Sequence, residues 1–248
     1  MHAQNNYSLT KRSFSLRTWT LFTLIVGMLT SHINGEDSET SFNSVLAYDS
    51  KYISEGRDNL DEGGIGSVAF EWATATEGNG EAAFSGWYAE GIDADYSELN
   101  LGVSYGWSLE KFDVGVGYTW LDFAEDDKTH NEFALELGTS IHDDYDVGAA
   151  FTYSTEAGGT WINLEISKEF ANDKFAWSPY LLLGINSGYV ADEHDGINNL
   201  QMGLHVATEL SDGFELGGYV AYTIGLDEEP GESLDDIFWV GIGLGWGN

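Results

Sequence analysis

Apolar and small residues alternate along the chain, and this alternation limits the folds that are open to it. In residues 112–123, FDVGVGYTWLDF, every second position from Phe112 carries Phe, Val, Val, Tyr and Trp, while the positions between them start Asp, Gly, Gly, Thr. A period of two is that of a β-strand whose two faces meet different surroundings. The apolar face then packs in a soluble core, or it contacts lipid while the small face lines a lumen.

Twelve such segments follow one another, and most of them are long. They run mainly 10 to 13 residues, about twice the ~5–6 residues of strands in soluble sheets. Tilted transmembrane strands need about 9–11 residues. The predicted strands are residues 43–53, 65–76, 82–92, 97–108, 112–123, 131–142, 145–155, 160–170, 175–187, 198–210, 214–226 and 236–247.

The connections between these segments fall into two groups. EGNGE, SLEKF, HDDYD, ANDK and LSDGF are short, whereas those at the other end, such as SEGRDNLDEGG and LDEEPGESLDD, are longer or strongly acidic. Transmembrane barrels have short periplasmic turns and longer outer loops. The sequence therefore predicts an all-β, up-and-down antiparallel transmembrane β-barrel of about 12 strands, with a secreted soluble β-sandwich as the alternative.

The N-terminal residues have the pattern of an export signal. Lys11, Arg12 and Arg17 precede the apolar residues 19–29, and small or polar residues follow up to Gly35. This is the order of a secretory signal peptide. We expect residues 1–35 to be the signal peptide and residues 36–248 to be the barrel, which would reach the cell outer membrane.

Composition excludes several other functions. With 9 basic and 42 acidic residues, the formal net charge of −33 disfavours binding to nucleic acid, whose phosphates need Lys and Arg. The chain has no Cys, so neither a disulfide nor a thiolate metal site can form. No motif of a nucleophilic, phosphate-binding or zinc enzyme occurs. The sequence predicts no enzyme activity, cofactor or metal site.

Three segments carry a resemblance to a known family. They are SKYISEG at residues 50–56, with Ser50, Tyr52 and Gly56, then FSGWYAEGID at residues 84–93 and ELNLGVSY at residues 98–105. Together they resemble the TorF-like porin family of Gram-negative outer-membrane proteins. The resemblance covers about the first third of the predicted mature chain, and it implies a pore-like outer-membrane barrel without identifying a solute.

Carboxylates lie at central positions of the predicted small-residue face. Glu71, Glu136 and Glu165 each lie near the middle of a strand that runs from the outer side to the periplasm. Rings of carboxylates attract cations and repel anions, so these residues are predicted to form a narrow filter, with Gln201 and His205 as polar lining. The alternative is that they only keep a wet lumen polar. Further acidic residues predicted to face inward are Asp49, Glu98, Asp113, Glu132 and Asp146.

The predicted function is an outer-membrane pore that passes cations or small hydrophilic solutes through a narrow acidic lumen. The alternative is a non-conducting surface barrel whose acidic loops serve adhesion or interaction. No connection is long enough to suggest an inward-folding constriction loop. The expected partners are outer-membrane lipid, the barrel-assembly machinery, and small solutes or cations.

Overall fold

The described part of the chain consists almost entirely of β-strands. The computed structural model describes residues 40–60, 62–125, 127–141, 145–190, 195–226 and 236–247, and the predicted signal peptide lies outside them. Among the described residues, no helix is long and apolar enough to cross a membrane. The strands are β1 Thr40–Asp49, β2 Ile53–Ser54, β3 Arg57–Asp58, β4 Gly64–Thr76, β5 Gly80–Ile92, β6 Ser97–Ser108, β7 Asp113–Phe123, β8 Lys128–Ile141, β9 Tyr145–Ser154, β10 Gly159–Ser167, β11 Phe170–Ala171, β12 Ala176–Ser187, β13 Gly196–Ser211, β14 Phe214–Gly225 and β15 Ile237–Gly247.

These strands close into a barrel. Each strand pairs antiparallel with its neighbours in the chain, β1 pairs with both β4 and β15, and β10 pairs with β12. The hairpin β2–β3 is a separate two-stranded sheet, and β11 continues the line of β10 along β12. The structure confirms the predicted fold of twelve antiparallel strands in sequential order.

The outer surface is an apolar band. Along β15 exposed and buried positions alternate without a break, with Phe238 60% exposed and Trp239 4% exposed. Because the exposed positions are the apolar ones, this surface is suited to lipid and not to water. The predicted outer-membrane location is confirmed. From the alternation in the sequence, eight residues are expected to face lipid: Phe133, Leu135, Leu137, Leu200, Met202, Leu204, Val240 and Ile242. Seven of them are exposed, and Leu200 on the same face is half-buried.

The sequence predicts that Pro179, which falls within a strand of a closed barrel, lies near a periplasmic turn or at a bulge, and it lies near the periplasmic end of the barrel. It is the fourth residue of β12, opposite the interruption between β10 and β11. Since proline has no N–H, it cannot donate to the neighbouring strand. Its carbonyl still accepts a hydrogen bond from the backbone N–H of Lys168 at 3.2 Å, and the register on either side of the interruption is unchanged.

Rows of paired residues climb around the barrel. Followed toward β8, the row through Leu46 reaches Thr129 at the outer end of that strand. Followed in the other direction, it reaches Thr208 near the periplasmic end of β13. Because hydrogen bonds run across the strands, such a climb means that the strands tilt, typically by about 35–45° in barrels. Residues paired along a row therefore lie at different heights in the lumen.

Candidate functional site in the barrel lumen

The three predicted filter carboxylates lie on the inner face of the wall. Glu71 alternates with exposed lipid-facing residues and lies between Ala69 and Ala73, which are 4% and 3% exposed. Glu136 is 5% exposed, and Glu165 on β10 is half-buried. Their neighbours on this face are small, so the carboxylates are the larger groups at these positions.

The strand register brings these carboxylates toward one height. The row from Glu71 ends four strands later at Glu132 on β8. Because this row climbs toward the outer side, Glu132 lies higher in the barrel than Glu71. The residue of β8 at the height of Glu71 lies roughly 5 residues further toward the periplasm. That position is next to Glu136. Glu165 pairs with Gly148 of β9, which pairs with Gly138 of β8. Allowing for the climb of the row over these two strands, Glu165 lies at about the height of Glu136. The three Cα atoms fall within about 5 Å of one another in height.

Gln201 and His205 lie on β13, two strands from Glu165 on β10, where they pack with phenol rings. Gln201 Nε2 donates to the Tyr180 hydroxyl at 2.7 Å, and the Tyr180 ring stacks on His205 with centroids 4.7 Å apart. The His205 ring also contacts Tyr219 at 5.5 Å, whose hydroxyl donates to Asp49 at 2.6 Å. Neither tyrosine was among the residues predicted to line the lumen, although each falls on the small-residue face of its strand.

The first outer connection folds into the lumen, which corrects two expectations. The first strand was predicted to reach residue 53, but β1 ends at Asp49. Residues 50–60 form a segment, here called the inner hairpin, that contains β2 and β3. Its tip is the two-residue turn Glu55–Gly56, with φ of 48° and 78°, as in type I′ hairpins. The expectation that no loop forms an inward constriction was wrong.

The inner hairpin contacts widely separated parts of the wall. The Tyr52 hydroxyl donates to Glu98 of β6 at 2.7 Å, and Leu60 packs with Ile65 and Ala89. At the tip, a Cβ added to Gly56 would lie 2.6 Å from Cγ of Asn199 on β13. Ile53 packs on a cluster of β14 and β15 residues, Ala221, Ile237 and Trp239. The hairpin therefore crosses the outer lumen from one side to the other.

A second outer connection adds to this closure. The hydroxyl of Tyr189, just after β12, donates to Glu132, and the neighbouring Val190 is 7% exposed. Asn186 holds this turn, because its Oδ1 accepts hydrogen bonds from the N–H groups of both residues at 3.0 Å. Burial raises the pKa of Tyr189 above its usual value, and so do the carboxylates of Glu55 and Glu132.

Charge in the described lumen is mainly negative. The six basic residues of the described ranges lie in connections, in the inner hairpin or at a strand end: Lys51, Arg57, Lys111, Lys128, Lys168 and Lys174. Lys51 forms an ion pair with Asp58 inside the hairpin, at 2.6 Å. The central level of the inner face thus carries three carboxylates, those of Glu71, Glu136 and Glu165.

The sequence contained a signal for the inner hairpin. Tyr52, Ile53 and Leu60 are apolar or aromatic residues in a connection that is otherwise mostly charged or polar. Such residues in a solvated loop need a surface to pack on. Two of the three segments that carry the family resemblance meet here, since the Tyr52 ring lies 5.9 Å from that of Trp87.

Solved structures of outer-membrane channels share this barrel at low sequence identity. An outer membrane channel from Pseudomonas putida F1 superposes with a TM-score of 0.57 and 7% identity, covering 88% of this chain and 98% of that one. The KdgM porin gives 0.52 and 8%, covering 83% and 98%, and the NanC porin gives 0.51 and 11% over the same shares. No protein-family model and no curated protein matches the chain. The chain therefore has the fold of porin-like outer-membrane barrels.

Proposed function

We propose that the protein is a cation-selective outer-membrane pore for cations or small hydrophilic solutes. The observation that supports this most is the near-common height of Glu71, Glu136 and Glu165, whose neighbours along the inner face of each strand are small. Carboxylates in a narrow, low-dielectric channel raise the local concentration of cations and exclude anions. Gln201 and His205 serve as polar lining on β13, two strands from Glu165.

The negative charge of this lumen does not suit the ligand of one structural neighbour. The KdgM porin is known in complex with disordered oligogalacturonate, which is a polyanion. Carboxylates at the central level would repel such a ligand. We therefore expect oligogalacturonate neither to block nor to permeate this barrel. We also propose membership of the TorF-like porin family, on the three segments that resemble it.

Reversal potentials across a KCl gradient in a planar bilayer test the selectivity. The wild type is expected to prefer K⁺ over Cl⁻, and Glu71→Gln/Glu136→Gln/Glu165→Gln should lower that preference at least several-fold. Glu90→Gln is the matched control, because Glu90 is an exposed carboxylate on the outer face of β5. Preference for Cl⁻ in the wild type, or an unchanged ratio in the triple variant, would contradict the proposal.

The inner hairpin favours a second candidate function. A barrel whose outer lumen holds residues 50–60 could be a non-conducting surface protein whose acidic loops bind partners. Part of those loops, residues 191–194 and 227–235, lies outside the described residues. Conductance above the bilayer baseline, in wild type or after removal of the hairpin, separates a pore from this alternative.

A further inference from the structure

The wall behind the inner hairpin carries buried polar side chains besides the apolar residues on which Ile53 and Leu60 pack. Glu98, Asn100, Asn199 and Thr223 lie at this height of the barrel and are at most 5% exposed. A permanently filled interior is normally lined by apolar side chains, because a buried polar group without a partner is unfavourable. The Oδ1 atoms of Asn100 and Asn199 have no hydrogen-bond partner among the described residues. Water could solvate both atoms if the hairpin left the lumen.

Beyond Ser50, which is hydrogen-bonded to Val240 at the start of the hairpin, side chains make the described contacts between the hairpin and this wall. Tyr52 reaches Glu98 through its hydroxyl group, and Ile53 and Leu60 contribute apolar contacts. The two short strands of the hairpin pair with each other and form a sheet apart from the barrel. Releasing the hairpin therefore leaves the barrel's backbone hydrogen bonds in place.

Both ends of the hairpin are fixed to the rim of the barrel. At the start, Ser50 N–H donates to the Val240 carbonyl at 2.9 Å, and Ser50 Oγ accepts from Val240 N–H at 3.0 Å. Beyond the hairpin, Gly63 has φ of +80°, and a Cβ there would lie 1.8 Å from the Ile92 carbonyl oxygen. The segment is thus fixed at both ends and is held to the wall between them mainly by side chains. This is the geometry of a flap.

We propose that the inner hairpin is a gate, which closes the outer lumen when Tyr52 is bound to Glu98 and opens it by swinging outward. This inference rests on the proposed pore function, since it names how that pore is regulated. Glu98 acts as the latch because it accepts the Tyr52 hydroxyl and also the hydroxyl of Tyr96 and the Asn100 amide. Two of those three donors lie outside the hairpin, Asn100 on β6 and Tyr96 in the connection just before it, so the carboxylate stays in position when the hairpin leaves.

Thiol labelling tests the movement without using conductance. The natural chain has no Cys, so Asn199→Cys places one thiol beneath the hairpin tip, at a position 1% exposed. A gate predicts slow reaction with a membrane-impermeant thiosulfonate, accelerated about tenfold or more by Tyr52→Phe, which removes the hydroxyl and keeps the ring. Tyr88→Phe, on the exposed outer face, should leave the rate unchanged. Equal rates with Tyr52 and with Phe at this position would overturn the gate.

A disulfide tests whether this movement controls flow. A Cβ at position 56 would lie 2.9 Å from Cβ of Asn199, and disulfides need about 3.5–4.5 Å. Gly56→Cys/Asn199→Cys can therefore cross-link if the hairpin tip shifts, a shift that must also relieve the strain of a Cys at φ of +78°. Oxidation should reduce bilayer conductance to about a tenth or less of that of the reduced variant. An unboiled sample that migrates faster than a boiled one shows that the variant has folded.

The outcomes separate the two proposals. A disulfide that leaves a measurable conductance unchanged overturns the gate alone. If the wild type, the reduced variant and a variant lacking residues 51–60 all fail to conduct, the pore itself is overturned. Restored conductance on reduction, together with accelerated labelling in Tyr52→Phe, supports the gate.

Discussion

The ring of Tyr180 lies directly over Gly203 of the adjacent strand. The two residues are paired partners of β12 and β13, and a Cβ added to Gly203 would lie 2.3 Å from Cε1 of the tyrosine ring. Glycine at this position lets the ring lie close to the wall, where it stacks on His205 and meets Gln201. The small residue therefore determines how far this ring projects into the lumen.

Gly203→Ala is expected to push the Tyr180 ring off the wall. Overpacking of this kind costs about 1–3 kcal/mol, and the displaced ring should lower the pore's conductance. Gly138→Ala is the matched control, since a Cβ there meets only Asp113 Cβ at 3.9 Å. Urea unfolding in lipid vesicles, followed by tryptophan fluorescence, measures the difference. Equal loss of stability in both variants would show that only strand propensity had changed.

A charge on the outer face should destabilise the barrel in proportion to its depth. Leu135→Arg, near the middle of β8, is expected to lower the free energy of unfolding by about 2–4 kcal/mol. Ile141→Arg, at the periplasmic end of the same strand and face, should cost about 0–1 kcal/mol. The native side chains are similarly exposed, at 42% and 41%, so depth is the variable. Similar losses in the two variants would contradict the membrane placement.

Tyr52 should ionise at a higher pH in the folded protein than in the unfolded chain. Burial, and then the nearby Glu98 carboxylate, raise the pKa of Tyr52 well above its usual value of about 10. Because the folded-state pKa is the higher one, the neutral phenol stabilises the closed hairpin fully below pH 10, and this stabilisation is lost as pH rises above 10. Tyr52→Phe removes this dependence.

Ultraviolet absorbance of tyrosinate measures the pH at which Tyr52 ionises. The difference between wild type and Tyr52→Phe should develop only well above pH 10 and should coincide with faster labelling of Cys at position 199. A difference that develops around pH 10 itself would show that the phenol is not held in the lumen. Repeating the titration in denaturant should bring the ionisation back to about pH 10.

Export should remove the N-terminal segment. We expect cleavage after Gly35, which leaves Glu36 as the first residue of the mature chain. Mass spectrometry of the protein isolated from outer membranes measures this terminus. Lys11→Gln/Arg12→Gln/Arg17→Gln should slow export, because the basic residues precede the apolar segment of the signal. A mature protein that retains residues 1–35 would contradict the prediction.

The strands were predictable from the sequence because their signal is local. Alternation such as that of Phe238, Val240 and Ile242 with Trp239 and Gly241 follows from the two-residue period of a strand and from two different surroundings. The unequal connections then gave the order and direction of the strands. Even Pro179 could be placed near a strand end, since a residue without an N–H interrupts a closed ladder wherever it lies.

The contents of the lumen were decided only by the tertiary structure. Glu98 and Glu132 have the same local pattern as Glu136, yet they bind Tyr52 and Tyr189 from connections that fold inward. Alternation tells which side of the wall a residue faces, but it says nothing about its height or about what enters from the loops. Height depends on the tilt and register of all twelve strands together. The path of residues 50–60 depends on contacts with β6 and β13, which lie far away in the chain and become neighbours only when the barrel closes.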